Sequence, residues 1–204
     1  MVTKASRWRH ERSEFFIIKI VIACIPTAIV GVLLDDKINL LFYNFQSVAI
    51  VLIVFGILFI VVENYNKGKN SIVKNINQLT YKMAMVIGLF QLVAAIFPGT
   101  SRSGATILGA LLIGVSRDVA AEFTFFLAIP VMFGASLLKL IKFGIVFKSF
   151  ELTVLLVGML VAFIVSLLTI KFLVEYIKKH DFKIFGWYRI VLGCILLIYY
   201  FMMM

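Results

Sequence analysis

The sequence predicts an all-α polytopic membrane protein: five membrane-crossing helices and one re-entrant helical hairpin that dips into the bilayer and returns to the side it came from. Three observations carry this. Hydrophobic residues make up 63% of the 204-residue chain and the mean hydropathy is +1.09, more apolar surface than a water-soluble domain of this length can bury. Five apolar runs are long enough to cross the hydrocarbon core, which takes about 20 helical residues, and short lysine-bearing stretches separate them. Two further apolar runs, residues 83–97 and 105–115, hold only 15 and 11 residues and flank the break Pro98-Gly99. Broken backbone at membrane depth is tolerated only where protein or enclosed water satisfies its polar groups, so the two short runs read as the arms of one hairpin.

Charge and cysteine usage narrow the class further. The formal net charge is +10. In a soluble protein that surplus would suggest nucleic acid. Here the cations fall in short loops, as expected of cytoplasmic loops, and no nucleic-acid partner is expected. Cys24 and Cys194 lie inside apolar runs and read as packing residues, since no cysteine pair has ligand spacing. The run after the basic N-terminus is too long for a cleaved signal peptide and has no cleavage pattern, so the first span does the targeting.

In chain order, residues 1–14 carry Lys4, Arg7, Arg9 and Arg12 against Glu11 and Glu14, and read as a solvated tail with His10 exposed. Phe15–Leu34 is the first span; Lys19 near its start can snorkel, and Pro26 and Gly31 interrupt it. Asp35-Asp36-Lys37 reads as a water-facing loop, because adjacent acids on a helix would not face the same way and nothing nearby completes a metal site. Residues 46–62 form the second span, which ends at Glu63. Residues 64–82, with Lys67, Lys69, Lys74 and Lys82, are the longest polar loop and read as a cytoplasmic linker. It divides a single integral membrane domain into a first part, 1–63, and a second, 83–204.

The hairpin follows, with Gln91 in the middle of its inbound helix. A lone glutamine there either bonds a neighbouring helix or belongs to the site. Residues 119–141 form the third span, with Glu122 in its first turn and Pro130 and Gly134 suggesting a kink. Glu122 can complement the helix N-terminus, pair with Arg117, or hold Arg102 in place. Residues 150–172 are the fourth span. Glu175, Lys178, Lys179, His180, Asp181 and Lys183 form the next loop, with His180 exposed. Residues 184–203 are the fifth span, in which Arg189 reads as snorkelling to the near interface.

The chemistry concentrates at the hairpin's break, Phe97-Pro98-Gly99-Thr100-Ser101-Arg102-Ser103-Gly104-Ala105-Thr106. A helix N-terminus offers unpaired N–H groups and a partial positive charge, which suits phosphate. Arg102 adds a forked, permanently charged donor matched to phosphate oxygens. Ser101, Ser103 and Thr106 can donate hydroxyl bonds, and Gly99 and Gly104 let the backbone approach an oxyanion closely.

That run, with Gln91 before it and Gly114-Val115-Ser116-Arg117 and Glu122-Phe123 after it, resembles the undecaprenyl-diphosphate phosphatases of bacteria, the bacitracin-resistance family. The resemblance implies hydrolysis of undecaprenyl diphosphate to the monophosphate and inorganic phosphate, recycling a lipid carrier for cell-wall polymers. It places Ser101, Arg102, Ser103, Gly104 and Thr106 on the family's phosphate-binding motif, with Gln91 as a secondary member. Arg102 and Ser101 then stand as catalytic residues and Glu122 as a supporting one. It implies a divalent cation, Mg or Ca, whose ligands are not identifiable in this chain. It also implies a polyprenyl diphosphate partner and a multi-pass protein of the bacterial cytoplasmic membrane whose site opens to the outer face. A homodimer is one assembly it allows.

Charge gives a topology consistent with this. With the N-terminus inside, the inside loops hold Lys67, Lys69, Lys74, Lys82, Arg117, Lys178, Lys179 and Lys183, and the outside loops hold Lys37, Lys142 and Lys148. A hairpin and three spans follow the linker, but only two spans precede it. Inverted repeats are common where a site lies at mid-depth. The chain therefore reads as the C-terminal part of an inverted-repeat architecture. Family members also carry an earlier segment with a Glu-rich motif and a Ser-Ser-Thr-Gly-His run, and neither is found here. A hydrolase needs a nucleophile and a base to activate it, so the chain alone is expected to show little turnover. A non-catalytic homologue that binds lipid diphosphate, and a lipid or anion transporter built on the broken helix, stand as alternatives.

Overall fold

The computed structural model describes residues 4–143, 149–179 and 182–203. Seven α-helices follow one another: α1 (Lys4–Phe42), α2 (Phe45–Asn66), α3 (Tyr81–Ile96), α4 (Arg102–Leu112), α5 (Arg117–Phe143), α6 (Ser149–Lys179) and α7 (Lys183–Met203), with a short 3-10 turn at Ile76–Gln78. Five stretches are long and apolar enough to cross a membrane: Phe15–Leu34, Phe45–Asn66, Arg117–Lys142, Phe150–Ile170 and Lys183–Met203. The protein is an all-α polytopic membrane protein. Lys148, His180 and Asp181 lie outside the described residues, as does the exposure expected of His10.

The first helix is longer than its apolar run. It starts at Lys4, so the basic N-terminal segment is helical rather than a tail; Ala, Arg, Lys and Glu all favour helix. Nor does the chain break at Asp35-Asp36-Lys37. No glycine or proline stands between Val32 and Phe42, and the helix runs on to Phe42. The turn comes at Asn44, whose Oδ1 accepts the Ser47 N–H at 2.8 Å and caps α2. Pro26 and Pro130 both stay inside continuous helices.

Helices α3 and α4, at 16 and 11 residues, are too short to cross and pack against each other and against the spans around them. Their outer ends are tied together. Val73, before α3, bridges Val115, after α4. The Ile72 N–H donates to Gly114 O at 2.8 Å and the Ser116 N–H to Val73 O at 2.9 Å. The chain thus enters and leaves the hairpin at one level, which is the re-entrant geometry. Residues 64–82 are no loose linker: Val73 and Leu79 are buried beneath the hairpin's base with Ile87, Val115 and Val119.

Two further contacts close that base. Arg117 donates to the buried carboxylate of Glu63, linking the end of α2 to the start of α5. Asn66 Nδ2 donates to the Leu111 carbonyl at 3.2 Å, beside the Gly114 N–H that the same oxygen accepts at 3.1 Å, and so ties the end of α2 to the end of α4. Small residues set the other interfaces. Added Cβ atoms at Gly56 and Gly186 would each lie 2.7 Å from the other's carbonyl, so α2 and α7 cross in backbone contact. Gly88 similarly admits α1 at Ala23. From Gly104 to Leu111 every residue of α4 is buried, against Phe55, Phe59 and Val62 of α2 and Ala121 of α5.

Cysteines placed singly at Lys82 and Ser116, the two ends of the hairpin, should label from the same side of a sealed vesicle. Labelling from opposite sides would show that α3–α4 crosses the membrane.

Candidate functional site

The site is the tip of the hairpin. Pro98 and Gly99 stop α3, and Gly99 takes a φ of 93° that an L-residue rarely adopts. The Thr100 N–H bonds back to Phe97 O at 3.3 Å and tightens the turn. Ser101 follows at φ 53°, the only non-glycine with a positive φ among the described residues. Such a conformation costs about 1–3 kcal/mol and persists only where the surroundings enforce it. Ser101 then caps α4, its Oγ accepting the Gly104 N–H at 3.3 Å. The same Oγ stands 3.3 Å from Ser103 Oγ.

Arg102 is the first residue of α4. Its guanidinium is partly exposed, and Nη2 points at Met132 Sδ, 2.6 Å away on α5. No carboxylate pairs with it among the described residues. Glu122 does not hold it. That side chain is exposed and sits ten residues before Met132 on α5, about 15 Å along the helix at 1.5 Å per residue. Nor does Glu122 pair with Arg117, whose partner is Glu63.

Two other expected donors are differently employed. Thr106 is buried, and its hydroxyl reaches the carbonyls of Arg102 and Ser103, each at 3.0 Å, within its own helix. The Thr124 hydroxyl donates to it at 3.0 Å and clasps α5 to α4. Thr106 therefore holds the first turn of α4 rather than turning a free hydroxyl outward. Gly104 has its N–H committed to the Ser101 cap, and a Cβ there would come within 3.0 Å of Phe59 and 3.2 Å of Arg189 Nη2. Its smallness admits those two side chains to the start of α4. Gln91 is buried in α3, and its Nε2 has no partner.

The residue that sequence reasoning placed elsewhere is Arg189. It does not snorkel. From α7 its Nη1 donates to the Thr100 carbonyl at 3.1 Å, with the guanidinium carbon 5.2 Å from the centre of the Phe59 ring. It too lacks a carboxylate partner. The signal was present: its helical neighbours Phe185, Gly186, Leu192 and Gly193 offer no acid, so an arginine inside that apolar run needs a tertiary partner. The hydroxyl of Thr100, fully buried, has none.

Two arginines thus stand at the N-terminus of one buried helix, Arg102 as its first residue and Arg189 against Thr100 and Gly104. Two permanent positive charges and a helix dipole of the same sign call for an anion, and the Ser101–Ser103 hydroxyl pair can donate to it. A divalent cation does not fit these residues. Among the described residues no three His, Cys, Asp or Glu side chains converge, and the tip itself presents cationic and hydroxyl donors.

Known proteins resemble this chain over most of its length. The family model for bacitracin resistance protein BacA matches residues 1–195. Undecaprenyl-diphosphatase 1 of Clostridium acetobutylicum is 69% identical over 183 residues, 90% of this chain and 67% of that protein. An undecaprenyl-diphosphatase of Desulfitobacterium hafniense is 68% identical over 182 residues, covering 89% and 66%. One from Enterococcus faecalis is 53% identical over 196 residues, covering 94% and 71%. The chain spans about two thirds of the length of these relatives.

Replacing Arg189 with Met should leave the Thr100 carbonyl without its donor. The expected cost is about 1–3 kcal/mol, read as a lower melting temperature of the detergent-purified chain, with Arg189→Lys recovering part of it. An unchanged melting temperature in Arg189→Met would show that the contact does not hold the tip.

Proposed function

Because the chain belongs to the bacitracin resistance protein BacA family, we propose that its hairpin tip is the phosphate-binding part of an undecaprenyl-diphosphatase. The observation that carries this reading is Arg102: a partly exposed guanidinium, unpaired by any carboxylate, at the N-terminus of a helix buried in apolar surroundings. A terminal phosphoryl group seated there meets a fork matched to its oxygens. Phosphoryl transfer depends chiefly on positioning and on stabilising charge on the equatorial oxygens, and Arg102 supplies that charge.

In the proposed reaction, a water oxygen bonds to the terminal phosphorus as the bond from that phosphorus to the bridging oxygen breaks, and inorganic phosphate leaves carrying the water oxygen. Undecaprenyl phosphate keeps the bridging oxygen, and Arg102 offsets the charge that develops. Ser101 and Ser103 hydroxyls orient the phosphoryl oxygens. Arg189 fixes the turn by its bond to Thr100, which keeps Ser101 and Arg102 in register. Neither a histidine nor a carboxylate stands against the guanidinium of Arg102 among the described residues, so the group that activates the nucleophile belongs to another part of the complete site. The apolar walls of the surrounding spans suit a prenyl chain.

The reading extends to placement. The Lys67, Lys69, Lys74 and Lys82 loop sits at the base of the hairpin, and the positive-inside rule puts that base on the cytoplasmic side of the bacterial cytoplasmic membrane. A site approached from above the tip then opens toward the outer face.

The test is phosphate release from undecaprenyl diphosphate. Arg102→Lys keeps the charge but loses the fork, and should lower turnover about 10²–10³-fold, the usual cost of one transition-state donor. Ser103→Ala should be milder. Wild-type turnover in Arg102→Ala at normal expression would overturn the assignment.

A further inference from the structure

At the opposite end of the hairpin, Lys19 does not behave as a lysine at the start of a span should. Such a side chain ordinarily snorkels its ammonium into water. Here the residue is only 8% exposed. Its Nζ lies 5.8 Å from the centre of the Tyr81 ring, and it makes no hydrogen bond or ion pair among the described residues. Its neighbours one turn away on α1, Phe15, Phe16, Ile22 and Ala23, carry no acid. Most of the side chain is packed against protein, and its charge lacks a carboxylate partner among the described residues.

Beside it is a pocket of about 380 Å³ lined by Phe15, Lys19, Asn77, Leu79, Thr80 and Tyr81. That volume is within the roughly 300–1,000 Å³ range of small-ligand sites. No carboxylate is among these described lining residues. The N-terminus of α3, a helix of 16 residues, opens there too. Thr80 Oγ1 accepts the Met83 N–H at 3.2 Å, and the N–H groups of Tyr81 and Lys82 have no partner. A helix N-terminus, an ammonium, an amide and a hydroxyl therefore line one open pocket, and all of them suit an anion. The pocket lies where the first span begins and the hairpin enters, and the start of a span borders the headgroup region. Phe15, 53% exposed, forms its outer wall, so the ligand's apolar continuation faces lipid.

We propose that this pocket binds the phosphate of an anionic phospholipid headgroup, with Lys19 as its counter-charge. It is separate from the tip and does not depend on the diphosphatase reading, because it is tested by lipid retention without any turnover.

The 204-residue chain is reconstituted in nanodiscs of phosphatidylcholine with or without phosphatidylglycerol, and retained lipids are counted by native mass spectrometry. The wild type should keep phosphatidylglycerol in preference to phosphatidylcholine. Lys19→Gln should lose about ten-fold in apparent affinity, the size expected for one charge-assisted bond. Lys19→Arg should restore most of it. Lys74→Gln, at an exposed lysine of the same polar segment that does not line the pocket, should leave retention unchanged and so separates the pocket from bulk charge attraction. Millimolar inorganic phosphate in phosphatidylcholine discs distinguishes the source. A rise in melting temperature there, abolished by Lys19→Gln, would support the same phosphate chemistry with free phosphate as the ligand. Equal retention of both lipids by the wild type, with no protection by phosphate, would overturn the proposal whether or not the variants fold.

Discussion

A backbone broken inside an apolar layer must have its polar groups satisfied from within, and the hairpin depends on that requirement. Pro98 and Gly99 end α3 short of a crossing, and the freed groups find partners one by one. The Thr100 N–H returns to Phe97 and the Gly104 N–H is taken by Ser101. The Thr100 carbonyl is taken by Arg189, which comes from the last helix. That last bond matters most for architecture. It explains why α7 packs so closely on α2 through Gly56 and Gly186: the approach carries Arg189 past Phe59 to the start of α4, where only a glycine at position 104 leaves room for it.

The base of the hairpin meets the same requirement differently. Near the interface a short bridge between Val73 and Val115 ties the two arms, and Asn66 covers the Leu111 carbonyl. The Glu63–Arg117 pair joins α2 to α5. Glu63 is buried while Arg117 is partly exposed, so losing the arginine would leave a buried carboxylate without its counter-charge. The tip and the base are therefore both anchored, and the residues between them, Gly104 to Leu111, are held in apolar packing on every side.

Charge is distributed unevenly over this frame. The base has its cation paired, Arg117 with Glu63, whereas Arg102 and Arg189 at the tip have no acid between them among the described residues. Cations left uncompensated in an apolar setting mark a place where an anion is to be bound. The strained φ of Ser101 belongs to the same picture, since strain of this kind persists at sites whose surroundings over-determine them.

Much of this was legible in the sequence because it is local. Apolar run length separated the five spans from the two short arms, Pro98-Gly99 marked the turn, and Ser101-Arg102-Ser103 marked the phosphate-binding tip. What stayed hidden was long-range. Arg189 and Thr100 are 89 residues apart and Glu63 and Arg117 are 54 apart, so no periodicity within either helix could join them. Thr106 carries the same hydroxyl whether it faces a ligand or its own helix, and only the approach of Thr124 from α5 shows that it clasps two helices. Asp35-Asp36 looked like a loop because charge ends a span, but charge does not end a helix; the turn came where Asn44 could cap the next one. Composition and spacing determined which segments enter the apolar layer, because transfer from water acts residue by residue. The tertiary structure alone decided which polar groups meet there, because a hydrogen bond needs both of its partners in place.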